Sequence, residues 1–393
     1  MPLIDVTRLA SRLLEGKRPT GVDRVSLAYV QHFRTRARAL VRHRGRWVPI
    51  GQASPQLFAA LLGEHPRPGS VVRTAVGMSY ALRWGKLRES LFFNTGHSGL
   101  NDPAYAIRVR RHRLRPVYFL HDLIPITHPE YCRPGEADKH AQRLRCMLHT
   151  GVGLILNSAA TEADLRAWAA AERLQVPPTV VAPIGTVTLP HVEDEHAEDP
   201  HAETNAPPAA PYFVTLGTIE PRKNHLLLLH LWRQMIERGG AEVPKLVVIG
   251  QRGWECEQVI DLLERCPSLR GHVIEVEECD DAALARWLQG ARALLFPSFV
   301  EGYGMPLAEA LAHGVPVIAS DLGVFREIAG DVPEYLDPLD GPAWQRMVWE
   351  YARPQSAARA AQIARLPHFH APTWREHFGI VEAFLAAVLR DAR

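Results

Sequence analysis

Cysteine is scarce in this 393-residue chain, limited to Cys132, Cys146, Cys256, Cys266 and Cys279. The number is odd and no pair has C-x2-C spacing, so neither a disulfide framework nor a zinc site is expected. Long apolar runs are missing too: stretches such as 226–229 and 291–296 fall far short of the ~18 residues a membrane span needs. The opening residues, Met-Pro-Leu-Ile-Asp-Val-Thr-Arg, hold no basic region followed by an apolar core and a cleavage site, which makes a cytoplasmic location the expectation. What is present is a globular composition, 47% hydrophobic and 22% charged. At about 150 residues per domain it suffices for two or three domains with ample core.

A net charge of +2 hides an asymmetry: residues 1–150 carry 25 Lys+Arg against 10 Asp+Glu, and the remainder 20 against 33. The basic half should favour anionic partners. Arg108, Arg110, Arg111, Arg113 and Arg115 form one group, and Arg34, Arg36, Arg38, Arg42, Arg44 and Arg46 another. Two readings stand: a surface for a lipid pyrophosphate acceptor or the inner face of an anionic membrane, and an ordinary solvated basic surface. Nucleic acid is not expected, because no aromatic residues interleave with these arginines.

Short apolar runs at 3–7, 91–94, 116–120 and 153–157 read as strands, and 22–33 and 161–171 as helices. A second alternating set follows, with strands at 212–216, 245–249, 273–276, 293–296 and 316–319. The pattern predicts an α/β protein of two doubly wound domains facing a cleft. Between them, 191–211 is acidic, Pro-rich and nearly free of large apolar groups, which marks a linker. His191, His196 and His201 recur there every five residues, as a metal-binding run or as solvated linker positions. The expected division is 1–190, linker 191–211, 212–372 and a terminal segment 373–393 whose stretch 374–389 reads as an amphipathic helix.

The most informative stretch is 297–321, which holds Glu301 and Glu309 around a Gly302-Tyr303-Gly304 turn. A strand enters it, the glycines permit a tight turn and close approach of a ligand, and Met305-Pro306-Leu307 opens a helix to about His313. Gly314 and Pro316 stop that helix before the next strand, which ends near Ser320. Free N–H groups at the helix start then face the carboxyl edge of a parallel sheet, where a phosphate would sit. One carboxylate can reach a sugar and the other a ribose hydroxyl; the bland alternative is two solvated carboxylates.

Together with Gly217-Thr-Ile-Glu-Pro-Arg-Lys-Asn224 and His121-Asp122-Leu-Ile-Pro125, this Glu-x7-Glu stretch resembles the retaining nucleotide-sugar glycosyltransferases of family 4, which have the GT-B fold. The resemblance covers nearly the whole chain, with three motifs in the expected order. It implies that Arg222 and Lys223 hold the donor diphosphate, as a forked guanidinium and a compact ammonium can. It implies that His121, followed by Asp122, contacts the transferred sugar, and that the terminal helix crosses back to the first domain. Related enzymes place a glycine-rich loop at Gly21, next to the donor phosphates; this chain has one glycine where two are common, with Thr20 and Asp23 beside it. Asn94, Gly96 and His97 follow another strand and either line the acceptor side or form a plain loop. Surface charge remains the alternative for Arg222 and Lys223, and a structural histidine for His121.

No Asp-x-Asp motif occurs at a strand end, so metal-independent transfer without a cofactor is expected, with Arg222, Lys223 and the helix start near Gly304 meeting the charge of the leaving diphosphate. The expected reaction moves mannose, rhamnose, glucose or a similar sugar from a GDP- or UDP-sugar, with Glu301 on the sugar, Glu309 on the ribose and Ser320 beside the phosphates. The acceptor is a saccharide or lipid-linked oligosaccharide of a surface polysaccharide. Competing readings are a sugar-nucleotide epimerase or phosphorylase on the same fold, and a non-catalytic sugar-nucleotide binding or scaffold protein.

Overall fold

Apolar runs with no polar alternation form strands covered on both faces, so their sheets are parallel. The computed structural model describes residues 1–82, 87, 89–187, 207–208, 211–239, 242–277 and 279–391. The expected linker lies outside the described residues except at 207, 208 and 211, and so do its three histidines. The chain divides into one unit of Met1–Ile126, Gly135–Ile184 and Thr373–Arg393, and a second of Thr127–Pro134 and Gly185–Pro372.

The first unit holds β1 (Leu3–Asp5), β2 (Arg38–His43), β3 (Arg46–Pro49), β4 (Leu91–Asn94), β5 (Arg115–Leu120), β6 (Gly153–Leu156) and β7 (Thr179–Val181). Their order is β3-β2-β1-β4-β5-β6-β7, parallel throughout except for the β2–β3 hairpin. The first strand stops two residues earlier than its apolar run suggests. Asp5 Oδ1 accepts from the Thr7 amide at 2.9 Å and turns the chain into the helix Thr7–Leu14. Arg44 and Gly45, both at positive φ, join β2 to β3 as a two-residue turn, a geometry glycine and asparagine usually supply. Phe92, Tyr105, Tyr118 and Leu144 lie in the core.

The helix Trp374–Asp391 belongs to this unit. His377 is fully buried; its Nδ1 donates to the Pro183 carbonyl at 3.0 Å, so its Nε2 accepts from the Tyr29 hydroxyl at 3.0 Å. Phe378 stacks on His32 with centroids 3.8 Å apart.

The second unit holds β8 (Tyr212–Leu216), β9 (Lys245–Ile249), β10 (Val273–Val276), β11 (Leu294–Phe296), β12 (Val317–Ser320) and β13 (Glu334–Leu336), all parallel, in the order β10-β9-β8-β11-β12-β13. Trp232, Trp344 and Phe213 anchor its core. Full burial of such side chains contributes about 1.5–3 kcal/mol each. In each sheet the chain adds strands on one side of its first strand and then on the other. The direction therefore switches between β1 and β4, and again between β8 and β11, and loops leaving the carboxyl ends there form the natural binding crevices. No helix among the described residues is long and apolar enough to cross a membrane.

Candidate functional site

At the switch point of the second unit, the loop after β8 carries Glu220, Arg222 and Lys223, and the loop after β11 carries Ser298 and Glu301. These side chains form one network. Arg222 Nη1 donates to Glu301 Oε2 at 2.6 Å, and Arg222 Nε lies 2.6 Å from Glu220 Oε1. Lys223 Nζ and Ser298 Oγ both donate to Glu301 Oε1, the latter at 2.8 Å. The Phe299 amide bonds the Arg222 carbonyl at 2.8 Å and ties the loops together. Sequence reasoning assigned Glu301 and the two cations to different parts of a ligand; the structure joins them, two carboxylates against two cations.

Burial dominates the electrostatics of this network. Desolvation alone would raise the Glu301 carboxyl, but Arg222 and Lys223 outweigh it and hold the group at about 2. Burial pushes the Lys223 ammonium down against the pull of Glu301, and pushes Glu220 up against the pull of Arg222 and Lys223. The Lys223 ammonium also sits 4.7 Å from the centre of the Phe296 ring. Gly217 has φ 141°, a conformation that strains other residues, and a Cβ there would stand 3.3 Å from Lys223 Cε, so the lysine would have to shift to make room.

The Gly302-Tyr303-Gly304 turn leads into the helix Met305–Ala312. Gly304 caps it at φ 105°, where a Cβ would meet the Phe325 ring at 2.6 Å. Met305 and Pro306 are half-buried, while Tyr303, Leu307 and Glu309 are buried, with Glu309 on the second turn. Ser320 ends β12, its hydroxyl fully buried and without a hydrogen-bond partner among the described residues. His225, which opens the helix His225–Gly239, is in the same condition at both ring nitrogens. Burial, then the nearby Lys223, pushes it down to about 3, so the ring is neutral.

The remaining sequence-predicted residues lie in the first unit, around its own switch point. Arg8 follows β1, His97 follows β4, and His121 and Asp122 follow β5. With His140 and Arg143 from the helix Glu136–Thr150, they line a cavity of about 330 Å³. The His97 ring lies 5.2 Å from His121 and 6.0 Å from His140, centre to centre. Asp122 Oδ1 accepts from the Ile124 amide at 3.1 Å, so part of its role is to start the turn after the strand. Asn94 does not face the cavity as the acceptor reading requires. Its amide donates to the Ser98 carbonyl and the Tyr105 hydroxyl, and its Oδ1 accepts from the Ser98 amide, which shapes the loop holding His97. Gly21 begins the helix Gly21–Phe33; Asp23 Oδ2 accepts from the Thr20 amide at 2.8 Å, and Arg8 Nε donates to Oδ1 at 2.7 Å.

The arginine groups are in part paired and in part brought together, Arg46, Arg108 and Arg111 lining one cavity of about 520 Å³. Arg34 pairs with Glu64, Arg36 with Glu382, Arg108 with Asp102 and Arg113 with Glu89, while Arg44 sits in the hairpin turn.

Sequence reasoning gave no role to Glu220 and Asn224, though both stand in a quoted motif, and none to Ser298, His225, His140 and Arg143. For Asn224 a signal existed, since asparagine tolerates the left-handed region it occupies at φ 56°. From there its amide spans the Pro297 and Pro338 carbonyls, at 3.2 and 3.0 Å. His140 and Arg143 are spaced i, i+3 on one helix face, but nothing local says what that face meets.

Residues 197–332 match the family model described as Glycosyl transferases group 1. The serotype-specific mannosyltransferase WbdA of Escherichia coli is 33% identical over 218 residues, 54% of this chain and 26% of that protein. The O-antigen chain mannosyltransferase B of Escherichia coli is 35% identical over 129 residues, 33% of each chain. The chain thus spans about a quarter to a third of the length of these relatives. Anabaena Alr3699/HepE, solved in complex with UDP and glucose, superposes with a TM-score of 0.68 over 98% of this chain and 99% of that one at 16% identity. The fold is GT-B, as the sequence resemblance implied.

Proposed function

From the premise that this is a family 4-like GT-B chain carrying a group 1 glycosyltransferase region, we propose that it transfers a hexose, with mannose the first candidate, from a nucleoside-diphosphate sugar to a saccharide acceptor in surface polysaccharide synthesis. The observation that carries this reading is the Glu220–Arg222–Glu301–Lys223 network at the β8/β11 switch point, beside the start of the helix Met305–Ala312. A diphosphate arriving there competes with Glu301 for Arg222 and Lys223, and the two cations stabilise the charge that develops as the nucleotide leaves. Glu301, freed in part from its partners, accepts hydrogen bonds from sugar hydroxyls, and Glu309 from the ribose. A buried hydroxyl without a partner costs about 1–3 kcal/mol, and a phosphate oxygen would relieve that cost at Ser320.

Because cations and helix amides meet the leaving charge, transfer is metal-independent in this reading. It proceeds with retention, the departing phosphate oxygen taking the acceptor proton on the same face. The acceptor is a neutral saccharide or a lipid-linked one, the second bringing the chain to a membrane surface. The test is incubation with GDP-mannose, UDP-glucose and related donors, with and without saccharide acceptors, in EDTA, followed by product analysis. Elongated product of retained configuration supports the proposal. Activity restored only by Mg²⁺ or Mn²⁺ refutes metal independence, epimerisation without acceptor or dependence on inorganic phosphate refutes transfer, and donor binding without turnover supports a scaffold.

A further inference from the structure

Most arginines in the basic segments of the first unit are engaged: Arg34, Arg36, Arg108 and Arg113 each hold a carboxylate, and Arg110 meets the His149 ring. Arg46 and Arg111 hold none among the described residues. Folding nevertheless brings these two together, on the cavity of about 520 Å³ enclosed by β3, the end of the helix Pro68–Leu82 and the helix Tyr105–Arg111. The Trp47 ring forms one wall, fixed against Phe92 and Tyr105 with centroids 5.5 and 5.0 Å away. Arg46 lies over the Tyr80 ring, 5.4 Å from its centre, a contact that holds the guanidinium by its face and leaves its N–H groups unspent.

The other polar groups of the wall are donors in want of acceptors. Ser79 is 3% exposed, and its hydroxyl has no hydrogen-bond partner among the described residues. Trp47 Nε1, which can only donate, is enclosed with no acceptor. No carboxylate lines the cavity among the described residues. Asp102 and Glu89, on the adjoining segments, are held by Arg108 and Arg113 at 2.6 and 2.9 Å. Two cations without a counter-charge and donors on three separate elements select the ligand. A carboxylate brings one charge and two oxygens in a plane. A phosphomonoester brings about −1.5 to −2 at pH 7 and three oxygens spread tetrahedrally, which matches both cations and reaches β3 and the two helices at once.

We propose that this cavity binds a phosphomonoester, held by Arg46 and Arg111 with the Ser79 hydroxyl at its floor. Its lining shares no described residue with the cavity around His97 and His121, so the ester sits apart from the crevice assigned to transfer. The proposal stands independently of the glycosyltransferase reading.

The test follows the Trp47 indole N–H signal of the ¹⁵N-labelled full chain, identified by its loss in Trp47→Phe. That readout is local, as it must be when phosphate also reaches Arg222 and Lys223 in the second unit. Glucose 6-phosphate and inorganic phosphate should each shift the signal saturably, and acetate at matched ionic strength should not. Arg46→Gln and Arg111→Gln, at exposed positions, should each weaken binding about tenfold, the lower end for a charge-assisted hydrogen bond. No saturable shift, an equal shift with acetate, or unchanged affinity in either variant overturns the proposal. Should a variant fail to fold, the wild-type titrations decide. Sedimentation with phosphatidylcholine vesicles containing phosphatidic acid separates two sources of the ester. Binding that glucose 6-phosphate displaces identifies a lipid headgroup and no binding identifies a free ester, both upholding the site, whereas binding that it does not displace refutes headgroup recognition by this cavity. Absence of any transferase activity would leave these titrations untouched and remove the glycosyltransferase reading alone.

Discussion

Replacing Glu301 by Gln tests the reasoning about the second unit most directly. The side chain is 7% exposed, so solvent screening removes little of its interaction with Arg222 and Lys223. Its carboxyl is held at about 2 against an ordinary 4.5. At 1.36 kcal/mol per unit that difference is worth about 3 kcal/mol, and breaking a buried pair by removing one partner falls in the same range, roughly 3–5 kcal/mol. Because the folded value is depressed, the contribution is complete above pH 4.5 and fades as pH falls toward 2. Urea unfolding of wild type and Glu301→Gln should therefore differ by about 3 kcal/mol at pH 7, with the gap closing below pH 3. Comparing the two proteins at each pH cancels the titration of distant carboxylates. Equal stability at pH 7, or a gap of constant size down to pH 2.5, would refute the claim that Glu301 is an ionised partner of both cations.

Other perturbations reach different parts of the molecule. Lys223→Ala should weaken nucleoside diphosphate binding at least tenfold by calorimetry, since a charge-assisted hydrogen bond is worth about 1.5–3 kcal/mol; unchanged affinity would move the phosphates elsewhere. Gly304→Ala combines a φ of 105° with a 2.6 Å clash against Phe325 and should cost about 1–3 kcal/mol in thermal unfolding, only partly recovered by adding Phe325→Leu. Burial pushes His377 down to about 4 from 6.5, so the docking of Trp374–Asp391 is at full strength above pH 6.5 and weakens as pH falls toward 4. Hydrogen exchange in that helix, corrected for intrinsic rates, should speed up at pH 5 relative to pH 7.5, and equal protection would contradict the assignment.

Much of the fold was legible because its signals are local. The strand at 212–216, the glycine turn and the helix start at Met305-Pro306 each declare themselves within a few residues, and β8 and the helix Met305–Ala312 stand where they were expected. The hairpin of β2 and β3 did not declare itself. Its turn is Arg44-Gly45 rather than an asparagine-glycine pair, so the arginines there read as a charge patch. In the site, residue types were visible but their partnerships were not. Glu301 meets Lys223 only because the chain reverses its direction of strand addition between β8 and β11, and His140 meets His97 only through a helix laid over the sheet. Such encounters depend on strand order, and no window of sequence contains it.

The return of Trp374–Asp391 to the first unit has a consequence for how the chain is made. Tyr29, the hydroxyl partner of His377, emerges from the ribosome before that partner and waits for it across an intervening stretch, Gly185–Pro372, that holds a complete sheet of its own. The unit begun first is thus finished last. Until Trp374–Asp391 docks, the surface around Tyr29 and Phe33 is exposed apolar area, open to chaperones and to like surfaces on neighbouring nascent chains. Removal of Trp374–Asp391 should therefore damage the unit that holds Met1–Ile126 before the one that holds Gly185–Pro372.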